Sequence, residues 1–124
     1  MEQKILIFKF LITFSLIFYS SVCFSNKIIE GKAKIIDGDT IYIEKNKIRL
    51  HGLDAPEIGQ TCTINNKVWH CGIESSLALK KLLLDNNISC LVSDIDKYKR
   101  YIAECFINNL NINKYMVRNG WAIA

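Results

Sequence analysis

The spacing of apolar side chains changes period along the chain, and each change marks an element. Lys27 to Ile36 alternates loosely around Ile28, Ala33, Ile35 and Ile36 and is rich in β-branched residues, which predicts a strand. Thr40 to Glu44 predicts a second strand and Lys47 to His51 a third, across a turn at Lys45-Asn46. Leu53 to Trp69 shows no period; with Gly52, Pro56, Gly59, Asn65 and Asn66 it reads as a long loop. From Ile73 to Leu84, apolar residues at 73, 77, 78, 82 and 83 follow one helical face. Lys80 and Lys81 suit the negative end of that helix, and Asn86-Asn87 ends it. Ile88 to Val92 and Tyr101 to Ile107 predict two more strands, followed by a turn at Asn108-Asn109. Asn113 is placed as the cap of a last helix, Lys114 to Asn119, which stops at Gly120.

Three strands, a helix, two strands and a helix suit a small five-stranded Greek-key barrel of the OB type, a mainly β fold with helices (α+β). A chain of 124 residues argues for one domain. Its first 25 residues stand apart. Lys4 and Lys9 lie near the start, Phe10 to Tyr19 carries no charge, and Ser20, Ser21 and Ser25 follow. A basic start, a short apolar run and a small-residue exit read as a signal peptide over residues 1–25, cleaved after Ser25. A retained membrane anchor is the alternative, but a span needs roughly 20 apolar residues and Lys9 interrupts any run that long. Lipid attachment at Cys23 is disfavoured, because Ser20 stands where a lipobox usually has leucine. The expected domain is 26–124, secreted or periplasmic, free of stable membrane association after cleavage, and monomeric.

Removing residues 1–25, with Lys4, Lys9 and Glu2, leaves 99 residues carrying 14 basic and 11 acidic side chains. Half of the whole chain is apolar and its net charge is only +4, which excludes a disordered polar chain. One proline and six glycines exclude collagen-like and low-complexity architectures. Cys23 leaves with the leader, so Cys62, Cys71, Cys90 and Cys105 remain. An even number in a small exported domain reads as two disulfides, with three possible pairings. Cys62 and Cys71 bracket one loop, and Cys90 and Cys105 lie on strands expected to be neighbours, so Cys62–Cys71 with Cys90–Cys105 is preferred. A zinc site lacks any Cys-x-x-Cys pair and has only His70 nearby; free buried thiols are the other alternative.

Polar chemistry gathers in three places. Asp37-Gly38-Asp39-Thr40 lies at a turn, Arg49-Leu50-His51-Gly52-Leu53-Asp54-Ala55-Pro56-Glu57 runs from a strand into a loop, and Asp94-Ile95-Asp96-Lys97-Tyr98-Lys99-Arg100 enters the last long strand. Each alone has an ordinary reading, as an Asp-Gly turn, an edge-strand charge or a solvated loop. Together, and in this order, they resemble the thermonuclease, or staphylococcal nuclease-like, family. Asn113-Lys114-Tyr115-Met116-Val117-Arg118-Asn119-Gly120-Trp121-Ala122 resembles that family's last segment before its third helix, so the resemblance runs from about Ile35 to Ala124. Gln60-Thr61-Cys62 through Trp69-His70-Cys71-Gly72 resembles an exported, disulfide-bearing bacterial branch and supports the preferred pairing.

The resemblance implies a calcium-dependent endonuclease acting on DNA or RNA, with single strands as substrate and little sequence preference. Asp39 and Asp54 match the family's calcium carboxylates, the Ala55 carbonyl would add a third oxygen, and Thr40 would orient bound water. Glu57 matches the family's general base. Arg49 and Arg100 match its phosphate-binding arginines, whose planar forks lysine does not copy. Tyr98 and Lys97 match positions near the nucleotide. His51 and His70 receive no catalytic role, and Trp69 and Trp121 read as packing residues.

Two departures accompany the match. Lys99 stands where the family usually has glycine; if that position takes positive φ, lysine carries a steric cost of roughly 1–2 kcal/mol and re-aims Arg100. The sequence ends at Ala124, where family members continue into a tyrosine segment and a further helix, so the last family helix is expected to be lacking. The alternatives are a non-catalytic nucleic-acid-binding OB module, an inactive truncated remnant of such a nuclease, and an exported OB-like domain that binds peptide or saccharide.

Overall fold

A computed structural model describes residues 2–7, 9 and 26–124. The apolar run from Phe10 to Tyr19, Cys23 and the expected cleavage position after Ser25 fall outside the described residues. Among the described residues, no helix is long and apolar enough to cross a membrane.

The first predicted strand is two strands, β1 (Ile28–Gly31) and β2 (Ala33–Asp37). Gly31 between them has φ +147°, and a Cβ there would lie 3.0 Å from the Ile43 side chain, so a bend with close packing selects glycine. A hairpin follows, β3 (Thr40–Ile43) and β4 (Asn46–Leu50). Its turn residues are Glu44-Lys45, one position earlier than predicted, with Glu44 at φ 52°. The expected loop contains a second hairpin, β5 (Cys62–Ile64) and β6 (Lys67–Trp69). Helix α1 (Cys71–Leu83) leads to β7 (Ile88–Ile95), β8 (Tyr101–Ile107), β9 (Leu110–Asn111) and helix α2 (Ile112–Arg118).

The main sheet has the order β1-β7-β8-β4-β3-β2, with β9 on β8; β4 and β8 are its parallel pair. The strands at the two ends of this order, β1 and β2, are one residue apart in the chain. The sheet therefore coils back on itself and is joined through the backbone at Lys32, while no hydrogen-bonded ladder between β1 and β2 completes a barrel. The mostly β fold with a few helices matches the expectation. Alternation sets its core: in β4, Ile48 and Leu50 are buried and Arg49 between them faces out. Ile41, Leu79, Ala103 and Met116 pack into the same cluster.

Both preferred disulfides form. Cys90 and Cys105 face each other in the β7–β8 register, and Cys62–Cys71 ties β5 to the first residue of α1. Neither zinc nor free thiols apply to these four residues. The α2 cap is Asn111 rather than Asn113: the Asn111 carboxamide oxygen accepts from the Lys114 N–H. Asn113 is instead buried, accepting from the Cys105 N–H and donating to the carbonyls of His51 and Ala103.

Lys99 does take positive φ, at 62°. A Lys99→Gly variant is expected to be more stable by roughly 0.5–1 kcal/mol, the relieved strain exceeding the added freedom of the unfolded chain. A higher urea midpoint at unchanged slope checks this.

Candidate active site

The turn between β2 and β3 carries Asp39 inward, where the residue is only 5% exposed. A carboxylate so placed needs donors. Its Oδ1 accepts from the Thr40 hydroxyl at 2.8 Å, and its Oδ2 accepts from the Ala55 N–H at 2.9 Å. The same Oδ2 meets Arg49 Nη1 at 2.7 Å. Arg49 Nη2 reaches Asp54 Oδ1 at 3.2 Å and donates to the Leu53 carbonyl at 3.4 Å. One planar guanidinium thus bridges an inner carboxylate and an outer one; the Asp39 side chain is 7% exposed and that of Asp54 71%.

Electrostatics follow from this arrangement. Burial pushes the Asp39 carboxyl up, but the Ala55 N–H, Arg49 and the Asp37 and Thr40 side chains outweigh it and hold it below 3.8. Asp37 moves the other way, raised by burial and by the Asp39 side chain beside it. Burial would lower the Arg49 pKa, yet the Asp39 and Asp54 carboxylates raise it, so Arg49 is charged at any physiological pH.

These residues fit a hard divalent cation, because two carboxylates that converge on one cation offer oxygen donors only. The adjoining Ala55 carbonyl accepts no hydrogen bond among the described residues. The protein set is small: among the described residues, no cluster of three or more His, Cys, Asp or Glu side chains is arranged around a metal position. A calcium ion would draw the rest of its roughly 6–8 oxygens from water or substrate.

Arg100 is held separately. Its Nε lies 2.7 Å from Asp96 Oδ2, and its backbone N–H donates to Asp96 Oδ1 at 2.9 Å. The Tyr98 N–H also donates to Asp96 Oδ1, at 2.9 Å. Desolvation pushes the Asp96 carboxyl up, but the Arg100 and Tyr98 donors outweigh it and hold it below 3.8. This ties Arg100 down despite the strained Lys99 before it. Lys97 and Arg100 flank the exposed Tyr98 ring, 5.1 and 5.4 Å from its centroid. In the β4–β8 register Arg49 stands beside Ile102, two residues after Arg100.

Glu57 is exposed, and its carboxylate makes no hydrogen bond or ion pair among the described residues. Its backbone, in contrast, is fixed. The Glu57 N–H donates to Gln60 Oε1 at 2.6 Å, and its carbonyl accepts from the Gln60 N–H at 2.8 Å. The first turn of α1 presses against it: a Cβ at Gly72 would lie 1.7 Å from the Glu57 carbonyl oxygen. At the other loop, a Cβ at Gly38 would lie 2.0 Å from Ser75 Oγ and 2.7 Å from the Ala55 Cβ. One helix start therefore supports both the Asp39 turn and the Glu57 loop. Asp54 is anchored from a third direction, exchanging two backbone hydrogen bonds with Ile123.

The structure brings Asp39, Thr40, Arg49, Asp54 and Ala55 into one cluster, while Arg100 is paired with Asp96. It leaves His51 and His70 exposed on the surface. Sequence reasoning missed the supporting residues Asp37, Gly38, Gln60, Gly72, Ser75 and Asp96. Asp96 had a visible signal, since it lies four residues before Arg100.

The family model described as "Staphylococcal nuclease homologue" matches residues 47–124. A succinoglycan biosynthesis protein of Rhizobium meliloti is 34% identical over 98 residues, covering 77% of this chain and 51% of that protein. A protein named "Probable staphylococcal-like nuclease" from Oryza sativa subsp. japonica is 35% identical over 95 residues, covering 75% of this chain and 23% of its own. A protein named "Uncharacterized endonuclease" from Haemophilus influenzae is 30% identical over 128 residues, covering 99% of this chain and 65% of its own. The chain thus spans about a quarter to two thirds of the length of these relatives.

Proposed function

The chain belongs to the staphylococcal nuclease homologue family, and on that premise we propose that it is an exported, calcium-dependent endonuclease that hydrolyses phosphodiester bonds of single-stranded DNA or RNA. The observation that carries this reading is the single guanidinium of Arg49 held between Asp39 and Asp54. Such a cluster draws a cation and a phosphate to the same place. Two disulfides accord with export to an oxidising compartment.

Asp39, Asp54 and the Ala55 carbonyl would hold calcium, which would supply positive charge at the phosphate. The remaining roles fall to side chains of this chain. Arg49 and Arg100 donate to the non-bridging phosphate oxygens, whose charge grows as the phosphorus becomes five-coordinate. Glu57, with its carboxylate free, takes the proton of the attacking water as that oxygen bonds to phosphorus; the bond to the leaving oxygen breaks, and that oxygen takes a proton from solvent. Thr40 orients water beside Asp39. Tyr98 and Lys97, next to Arg100, contact the strand on either side of that phosphate.

Glu57→Gln tests the reading. Cleavage of labelled single-stranded DNA is expected to fall by about 10²–10⁴. Unchanged cleavage would remove Glu57 from the mechanism, and binding without cleavage by the unsubstituted chain would make it a nucleic-acid-binding module. Gly72→Ala reaches the same group through the backbone: shifting the Glu57 carbonyl by about 1 Å is expected to cost on the order of 10² in rate. That variant is checked by cleavage rate set against its unfolding midpoint.

A further inference from the structure

Beside the Asp39–Arg49–Asp54 cluster lies a cavity of about 360 Å³. Asp54 and Ala55 form one of its walls, so it opens directly next to the proposed phosphate position. Its other walls include Gln60, Trp69, Trp121 and the Cys62–Cys71 disulfide. Trp69 stands opposite Cys62 in the β5–β6 register, so the disulfide fixes one wall of the cavity. The sequence contains two tryptophans, and both line this one cavity. Trp121, packed partly against the core, also turns surface to the cavity.

One polar feature gives the cavity a chemical character. Gln60 Oε1 is committed to the Glu57 N–H, so its amide NH₂ is left as a donor at the cavity. Flat π surfaces, a disulfide and an amide donor suit a planar ring with an acceptor atom on its edge. The volume is at the low end of the roughly 300–1,000 Å³ of ligand pockets, enough for one base and too little for a stacked pair.

We propose that this cavity is a base subsite, taking one unpaired nucleobase of the strand whose phosphate lies at Arg49. The proposal rests on the nuclease reading and specifies where a neighbouring base goes. Trp69 and Trp121 supply the stacking surface, and the Gln60 amide donates to a carbonyl or ring-nitrogen acceptor of the base. Because Gln60 also holds the Glu57 backbone, a base bound here stiffens the loop that carries the general base.

Both tryptophans line the cavity, so tryptophan fluorescence, excited where the five tyrosines do not absorb, reports on it. The 124-residue chain is titrated, in calcium, with a phosphorothioate thymidine octamer that resists hydrolysis. An abasic octamer of the same length is the control, and anisotropy of a labelled strand follows binding separately. The expected result is quenching that saturates with the thymidine strand and is absent with the abasic one. Trp121→Leu is expected to weaken binding of the thymidine strand about tenfold, while Trp121→Phe, which keeps a ring, restores most of it. Binding by anisotropy with no fluorescence change, or equal quenching by both strands, would overturn the base subsite and leave the nuclease reading standing. Absence of both binding and cleavage of ordinary single strands would end both.

Discussion

Arg49→Ala is expected to separate two properties that usually fail together. Cleavage should fall by about 10²–10³, the loss seen when one preorganised donor to a developing oxyanion is removed. Calcium affinity should hold or rise, because the guanidinium 2.7 Å from Asp39 and 3.2 Å from Asp54 competes with any cation for the same oxygens. Isothermal titration with calcium and a cleavage assay on the same preparation check this. Weaker calcium binding together with lost cleavage would make Arg49 a support for the carboxylates instead of a phosphate ligand. Arg49→Lys should recover little of the rate, since an ammonium cannot span both carboxylates or grip a phosphate with a fork.

The second large effect lies away from the chemistry. Asn113→Ala leaves the Cys105 N–H and the carbonyls of His51 and Ala103 without their side-chain partner inside the protein. Buried groups stripped of a partner cost about 1–3 kcal/mol each, and relaxation recovers part of it. The expected net loss is about 2–4 kcal/mol, a melting temperature lower by on the order of 10–20 °C. Asn111→Ala, which removes only the α2 cap, should cost about 1 kcal/mol. Equal effects of the two substitutions would contradict the assignment. The distinction matters for the site, because Asn113 fixes α2 to β8 and to the end of β4, and the segment after α2 places Ile123 against Asp54.

These two asparagines also show where the sequence stops being legible. Asn111 and Asn113 are both good caps by chemistry; which one caps is decided by a buried backbone amide on β8 that no local pattern reveals. The long strands were readable because alternation exposes one face and buries the other, as Ile48, Arg49 and Leu50 do. The β1–β2 break was not, because the residues on both sides are β-formers and only the change of partner at Gly31 separates them. The β5–β6 hairpin is three residues a side and mostly exposed, so it leaves no hydrophobic period. In the site, Asp39, Arg49, Asp54 and Arg100 were singled out because three local motifs stand in one order and together resemble a known family. Gly38 and Gly72 were missed because their role is steric. Each makes room for a group distant in sequence, and that need is visible only in three dimensions.

The most direct test of the account is the rate at which the 124-residue chain cuts labelled single-stranded DNA as calcium is raised from a chelated solution. The account predicts no hydrolysis in chelator, a saturable rise with calcium, and a higher calcium requirement in Asp54→Asn with the same products. Cleavage indifferent to calcium, or a strand bound and left whole at every calcium concentration, would contradict it.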